Sequence, residues 1–115
     1  MDKSVGVIKC IVINTTDHPR SVEFWSKVLG RNVTAEYAPY AELKKEGEIT
    51  VVIQKVDAIP SQSTGVHFDL KVEHLEDAID LVCRLGGSHV KTLKKAKWSW
   101  AIMQDPDGNV FCLCD

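Results

Sequence analysis

A weak internal repeat is the feature that most constrains the fold of this chain. Shifting the sequence by 57 positions aligns Cys10–Asp17 with His67–His74. The segments that follow, Pro19–Leu29 and Leu75–Leu85, both show helical spacing of apolar residues, and both are followed by glycine. The agreement lies in pattern more than in identity, and it extends over about two dozen positions. Duplication of one supersecondary unit explains such a pattern.

Each copy is predicted to contain one strand, one helix and three shorter strands. Asp17 is placed to cap the first helix, and Pro19 is tolerated in its first turn. His74 stands where the second helix needs a cap, so that cap should be weaker. The second helix has a single apolar stripe, formed by Leu75, Ala78, Ile79, Val82 and Leu85. The shorter strands are predicted at Val33–Tyr37, Ala41–Lys45, Glu48–Val56, His89–Leu93, Trp98–Gln104 and Asn109–Cys114.

Turn-forming residues separate these elements and set the domain organisation. The segment Asp105-Pro106-Asp107-Gly108 has the proline and glycine that a type I turn favours, and Glu46-Gly47 occupies a hairpin position in the first copy. The polar stretch Ile59–Gly65 predicts a linker between modules at about 5–58 and 64–115. A chain of 115 residues is long enough for one core. We therefore expect a single α+β domain, 1–115.

Composition excludes several classes of protein and partner. With 44% hydrophobic and 26% charged residues, the chain is typical of a globular protein. The net charge of -2 argues against a nucleic-acid partner, and no segment approaches the roughly 20 apolar residues that a membrane span needs. No apolar segment near the N-terminus resembles a signal peptide, and four cysteines are too few for a disulfide scaffold. We expect a cytoplasmic protein with reduced thiols that interacts with neither nucleic acid nor membrane.

Alternation along four predicted strands sorts their side chains onto two faces of a sheet. The apolar face, expected to pack under the helices, carries Ile11, Ile13, Val51, Ile53, Phe68, Leu70, Val72, Phe111 and Leu113. The opposite face mixes polar and apolar groups: Cys10, Val12, Asn14, Thr50, Val52, Gln54, His67, Asp69, Lys71, Val110, Cys112 and Cys114. A mixed face of this kind often lines a pocket or an interface.

Several motifs together resemble one known superfamily. They are Asp17 after the first strand, Phe24-Trp25 before Val28-Leu29-Gly30, and the closing run from Asp105 to Cys112. With these motifs the chain, from about Val5 to Cys114, resembles the glyoxalase / bleomycin-resistance / extradiol dioxygenase (vicinal oxygen chelate) superfamily, and within it the small glyoxalase-like subfamily. The resemblance implies two βαβββ modules forming a cupped mixed sheet, helices on the outer face, a concave small-molecule site and a homodimer.

In superfamily members that hold a metal, the first and last strands of each module supply the ligands. The resemblance places these positions at Cys10, Gln54, His67 and Cys112. The usual ligands are histidine and glutamate, and only His67 conforms. Because Fe, Ni and Mn in oxygen-chelating enzymes favour imidazole and carboxylate, we expect no standard divalent metal. Zinc is the alternative most compatible with the thiols.

The candidate ligand-binding residues are His67, Asp69, Gln54, Trp98 and Trp100. His67 is also the candidate catalytic residue, with Asp69 on the same face to orient it. The competing interpretation makes it a histidine at the edge of the core, hydrogen-bonded by Asp69 or by a carbonyl.

The aromatic and thiol side chains also have two interpretations. Trp98 and Trp100, with Tyr37 and Tyr40 in the matching part of the first module, form either an aromatic wall for a ligand or a packing surface. Cys10 and Cys112 are expected to behave mainly as small apolar residues and to approach each other at the site.

Three hypotheses about function remain open at this point. The leading one is a small-molecule site with weak or no catalysis. The enzyme alternative is a metal-dependent glyoxalase-like lyase, isomerase or dioxygenase. The third is a structural or regulatory dimer without a ligand. The fold alone does not decide among them.

Overall fold

The computed structural model describes residues 4–45, 47–59 and 65–115. The chain forms an α+β fold of eight strands and two helices, which confirms the predicted fold class. In chain order the elements are β1 (Val7–Thr15), α1 (His18–Leu29), β2 (Val33–Tyr37), β3 (Tyr40–Leu43), β4 (Thr50–Lys55), β5 (Val66–Lys71), α2 (Leu75–Arg84), β6 (Ser88–Lys95), β7 (Trp98–Gln104) and β8 (Val110–Cys114). Neither helix in the described part of the chain is long and apolar enough to cross a membrane.

The backbone divides into two compact units. One is Cys10–His67, and the other is Phe68–Asp115 together with the described residues before Cys10. Each unit repeats the predicted order of a helix and its strands. The middle of the predicted linker, residues 60–64, lies outside the described residues, as does Glu46 in the predicted hairpin turn of the first module.

In the first unit, β1 and β4 are parallel, and β3 pairs antiparallel with both β4 and β2. Helix α1 packs against β4. The Asp17 carboxylate accepts a hydrogen bond from the backbone N–H of Arg20 at 3.3 Å, as the sequence predicts for an N-cap. The helix ends at Gly30, whose φ of 63° lies in the left-handed region that glycine adopts without strain.

In the second unit, β5 and β8 are parallel, and β7 pairs antiparallel with both β8 and β6. Helix α2 packs across β6, β7 and β8. Its apolar stripe closes a core whose buried members are Val72, Leu75, Ala78, Ile79, Val82, Ala101, Met103 and Leu113. His74 makes no side-chain cap hydrogen bond, which confirms the expectation of a weaker cap on this helix.

The turn between β7 and β8 is held by hydrogen bonds among its own residues. The Gly108 N–H donates to the carbonyl of Asp105 at 3.0 Å, which closes the predicted turn. The Asp105 carboxylate accepts from the N–H groups of Asp107 and Asn109. The hydrogen bond from the Asn109 side chain, followed by the bonds from these N–H groups, holds the pKa of Asp105 below its ordinary value.

Strand boundaries differ from the predicted ones by a few residues. β3 begins at Tyr40 because Tyr37 and Tyr40 pair directly across Ala38-Pro39, so both strands run to the tip of the hairpin. β6 extends to Lys95, beyond the predicted Leu93, because Lys94 and Lys95 pair with Ser99 and Trp98. Polar residues such as these lysines are more typical of a loop than of a strand, but their pairing with β7 places them in the sheet.

Candidate functional site

The strand register confirms which side chains share a face within each unit. In the first unit Cys10 lies opposite Thr50 and Asn14 opposite Gln54. In the second, Asp69 lies opposite Cys112. The pairing of Cys112 with Ile102 and of Cys114 with Trp100 extends this face onto β7. Of the alternate residues, Ile53, Ala101, Met103 and Leu113 are fully buried, but Phe68, which was expected under the helices, is 47% exposed.

Three side chains with acid–base or metal-binding chemistry come together on β5 and β8. These are His67 and Asp69, two residues apart on one strand, and Cys112 on its parallel neighbour. One ligand atom from each of the three lies within 4.8 Å of the others, and all three residues are half-buried. We call these three residues the β5–β8 cluster. Strand periodicity produces it directly, because residues i and i+2 point the same way.

The electrostatics of the β5–β8 cluster keep its thiol protonated. Burial is the largest cause that raises the pKa of Cys112, followed by the negative charge of Asp69 and a hydrogen bond to that carboxylate; together they raise it to about 12. At neutral pH the thiol therefore donates to Asp69. Burial and the Asp69 charge also raise the pKa of Cys114, whose thiol donates to the carbonyl of Leu70 at 3.4 Å. Neither cysteine has the depressed pKa of a nucleophile.

The two tryptophans lie on β7 on the face of Cys112. Trp100 pairs with Cys114 on β8 and with Leu93 on β6, and it is half-buried. Trp98 pairs with Lys95 near the turn, and 72% of its surface is exposed. Trp100 is thus the direct neighbour of Cys114 on the adjacent strand, whereas Trp98 is the first residue of β7.

The register of the first unit places Cys10 and Gln54 apart along their strands. Gln54 pairs with Asn14, four residues beyond Cys10 on β1. Under the 57-residue repeat, the pair Asp69–Cys112 corresponds to Val12–Val52. Val52 is therefore the first-unit counterpart of Cys112, two residues before Gln54, the position that the resemblance implies. The segments between the parallel strands differ in length between the two copies, so the repeat does not carry the register of β1 and β5 over to β4 and β8.

The first unit contains a polar contact that was not predicted from the sequence. The Tyr37 hydroxyl donates a hydrogen bond to the Glu42 carboxylate across the β2–β3 hairpin. Desolvation, then the hydrogen bond and charge of Glu42, raise the pKa of Tyr37 to about 12, with Cys10 and Tyr40 contributing less. Tyr37 was identified as an aromatic candidate, but Glu42 was not. The alternation of Tyr40 and Glu42 along one strand is the signal that places both on one face.

Comparison with known proteins gives the family. The model of the family described as "Glyoxalase-like domain" matches residues 10–114. The chain belongs to that family. A comparison with curated protein sequences returned no match.

Solved structures of glyoxalase-like proteins show the same fold. A glyoxalase/bleomycin resistance protein/dioxygenase superfamily member from Vibrio splendidus aligns with a TM-score of 0.66 at 21% identity, over 91% of this chain and 95% of that one. Methylmalonyl-CoA epimerase from Mycobacterium tuberculosis aligns with a TM-score of 0.75 at 15% identity, over 99% and 91%. A variant of the Streptomyces coelicolor epimerase, in complex with 2-nitronate-propionyl-CoA, aligns with a TM-score of 0.72 at 16% identity, over 96% and 97%. At these identities the likeness is one of fold.

The side chains of this glyoxalase-like domain do not fit the metal set of its superfamily. Of the four implied positions only His67 offers a usual ligand, and Cys10 and Gln54 are not opposite each other on their strands. Hard divalent cations prefer oxygen and imidazole ligands, and a thiol that stays protonated offers neither. The β5–β8 cluster supplies a different set of one imidazole, one carboxylate and one sulfur. That set suits a softer ion such as zinc.

Proposed function

We propose that this glyoxalase-like domain binds a small organic molecule at the β5–β8 cluster without the standard divalent metal of its superfamily. The observation that carries the proposal is the Cys112 thiol, held protonated beside Asp69 and within 4.8 Å of a ring nitrogen of His67. The Asp69 carboxylate, a hydrogen-bond acceptor, and the His67 imidazole lie within 4.8 Å of each other and of the Cys112 sulfur, and together they can orient a ligand that carries carbonyl and hydroxyl groups.

The neighbouring side chains support a ligand with an apolar part. Trp100 and Ile102 on β7 lie directly opposite Cys114 and Cys112 on β8, so they share the face that carries the cysteines. Both are half-buried, so each presents part of its surface. Asp69 and Trp100 are the residues of this face that we expect to contact the ligand, and His67 is the candidate acid–base residue. The binding roles of Gln54 and Trp98 stay predictions.

A ligand-observed NMR screen of small carbonyl, carboxylate and hydroxyl compounds tests this proposal. We expect hits on the wild type whose affinity falls about tenfold or more in His67→Ala and in Asp69→Asn, because each removes a hydrogen-bonding partner of the ligand. His89→Ala is the matched control, since it makes the same change at an exposed histidine on β6 that bonds to Thr92 and lies outside the β5–β8 cluster. Hits that bind His67→Ala as tightly as the wild type would contradict the assignment.

Zinc at the same cluster is the second candidate, favoured by the three ligand atoms within 4.8 Å. Zinc binding would require the Cys112 thiol to lose its proton, and the energy of the metal–sulfur bond would have to overcome the raised pKa. His67, Asp69 and Cys112 would be the ligands. In a catalytic site, zinc supplies a polarising centre for a bound oxygen atom.

Two measurements separate the candidates. Elemental analysis of protein purified without chelators should find no stoichiometric Fe, Ni or Mn, and stoichiometric amounts of any of them would refute the metal-free proposal. Titration with Co(II), a spectroscopic substitute for zinc, should give no thiolate charge-transfer band. A band present in the wild type and in Cys83→Ser but absent in Cys112→Ser would establish the zinc candidate instead.

The homodimer is also a proposal, supported by exposed apolar surface. Phe24 and Val28 on α1 are each more than half exposed, and Trp98 is exposed at the end of β7. Single exposed apolar residues are ordinary, but several on one small chain favour association. Light scattering should show a dimer at micromolar concentration, and a monomer over the accessible concentration range would remove this proposal.

A reducing compartment, the cytoplasm, fits the cysteines. Cys10, Cys83, Cys112 and Cys114 are all free thiols. Four thiols should react with a maleimide after denaturation without reductant, and fewer would indicate an oxidising environment.

A further inference from the structure

We propose that the β2–β3 hairpin carries a binding site, formed by residues outside the β5–β8 cluster, for a small planar cation such as an amidinium or a guanidinium. Its residues are Tyr37, Tyr40 and Glu42, which we call the hairpin site. All three lie in the first unit, and the register puts them on one face.

The geometry of the hairpin site combines two aromatic rings with one carboxylate. Tyr37 and Tyr40 are directly opposite each other, with ring centroids 5.6 Å apart and planes inclined at 51°. Glu42 follows two residues after Tyr40 on the same strand, and its carboxylate accepts the Tyr37 hydroxyl bond. A carboxylate has about four acceptor positions, so one phenol leaves most of them available.

The carboxylate of Glu42 has no cation of its own among residues 4–45, 47–59 and 65–115. The Lys27–Glu23 ion pair on α1 does not involve Glu42. Glu42 is half-buried, and its cross-strand neighbour Val52 is buried. A charge next to apolar surface is less well hydrated, which strengthens its attraction for a cation.

The rings favour a cation that is planar. Tyr37 is 50% exposed, so its face is accessible to a ligand, and tyrosine faces attract cations. Amidinium and guanidinium groups also match a carboxylate through two parallel N–H bonds. The bond from Tyr37 fixes the carboxylate that would accept them. The hairpin site therefore offers stacking and paired hydrogen-bond acceptance at one place.

Titration of the whole protein with benzamidinium, followed by NMR, tests the site. We expect saturable shifts at the ring protons of Tyr37 and Tyr40, with a dissociation constant on the order of 1 mM for so small a probe. Benzamide, a neutral molecule of almost the same shape, should bind about tenfold more weakly or not at all, because charge-assisted hydrogen bonds are lost. Equal binding of the two probes would overturn the proposal.

Matched variants locate the charge. Glu42→Gln keeps the size of the side chain and should weaken benzamidinium binding about tenfold. Glu36→Gln makes the same change on the same hairpin but on the opposite face, since Glu36 pairs with Ala41, and it should leave binding unchanged. His67→Ala should also leave it unchanged, so the two proposed sites can fail separately. Unaltered binding to Glu42→Gln, or an equal loss in Glu36→Gln, refutes the hairpin site.

Discussion

The two helices occupy equivalent places in the repeat, yet they differ in what they bury. Helix α2 buries Leu75, Ala78, Ile79 and Val82 in the core of its unit. Helix α1 has no buried residue, although it is longer by two residues. A repeated sequence pattern therefore fixes the type of element more firmly than it fixes how much the element contributes to stability.

The arrangement of apolar residues accounts for this difference. On α2 they form one stripe, so a single orientation buries all of them. On α1, Val22 and Trp25 are half-buried, while Phe24 and Val28 lie one turn apart on another side of the helix and are more than half exposed. No single orientation of α1 buries both sets.

The polar contacts of the two units also differ in how exposed they are to solvent. Cys112 in the second unit is half-buried, and burial is the main cause of its raised pKa. Tyr37 in the first unit is 50% exposed. The Cys112 thiol is therefore less exposed to solvent than the Tyr37 phenol, although both units contain fully buried apolar residues, such as Leu113 in the second and Ile53 in the first.

The largest effect should appear in the reactivity of Cys112. Its pKa of about 12 leaves very little thiolate at pH 8, so iodoacetamide should modify it about a hundredfold more slowly in the native protein than in urea. Asp69→Asn removes a charge that raises this pKa and should speed the reaction, while Asp77→Asn, an exposed change on α2, should not. Mass spectrometry of peptides gives the rates. Equal rates in native and unfolded protein would show that the second unit does not enclose its cluster.

The same raised pKa has a consequence for stability. Folding favours the protonated thiol, so its contribution is fully present below the unfolded pKa near 9 and is lost as the pH rises toward about 12. Urea unfolding should show this decline above pH 9. The decline should be smaller in Cys112→Ala.

The next prediction compares the two helices by making the same change, valine to alanine, in each. Val82→Ala removes a side chain that is 7% exposed and should destabilise the protein by about 1.5–3 kcal/mol. Val28→Ala removes one that is 57% exposed, and its effect should lie within about 0.5 kcal/mol. Urea unfolding measures both. A large loss in Val28→Ala would mean that a partner, such as a second copy of the chain, covers α1.

The helix caps should give a smaller effect of opposite sign in the two units. Asp17→Ala loses the bond to the Arg20 N–H and should cost about 1 kcal/mol. His74→Ser supplies a cap that α2 does not have and should add about 0.5–1 kcal/mol. Thermal unfolding followed by circular dichroism measures both. Destabilisation by His74→Ser would show that the imidazole has another role at the helix start.

The smallest effect concerns the ionisation of Tyr37. Glu42→Gln removes a hydrogen bond and a charge that raise its pKa of about 12, so the phenol should ionise at lower pH. The pKa should remain above the ordinary value because desolvation, the largest cause, persists. Ultraviolet difference titration, with Tyr37→Phe to assign the signal, measures the shift. No shift in Glu42→Gln would argue against the Tyr37–Glu42 contact in solution.

Much of this fold follows from sequence periodicity. The alternation along β5 places His67 and Asp69 on one face, and the 3.6-residue spacing in α2 gives its buried stripe. The strand partner of Gln54 was harder to predict from the sequence, because parallel register depends on the lengths of the intervening segments. The solvent exposure of Phe24 could not be predicted from the sequence either, since it depends on which side of α1 meets the sheet. The pairing of Cys10 with Cys112 at one site stays a prediction.

The self-contained turn at Asp105–Asn109 bears on the order in which the chain folds. Its hydrogen bonds join residues no more than four apart, so closing it costs little chain entropy. The hairpin of β7 and β8 can therefore form early, whereas the parallel pairing of β5 with β8 must wait until α2, β6 and β7 have been accommodated between them. On this route Cys112 is in place before Asp69 reaches it. During refolding the thiol should thus pass through a stage at which it is ordered but still open to reagents, and it should become protected last.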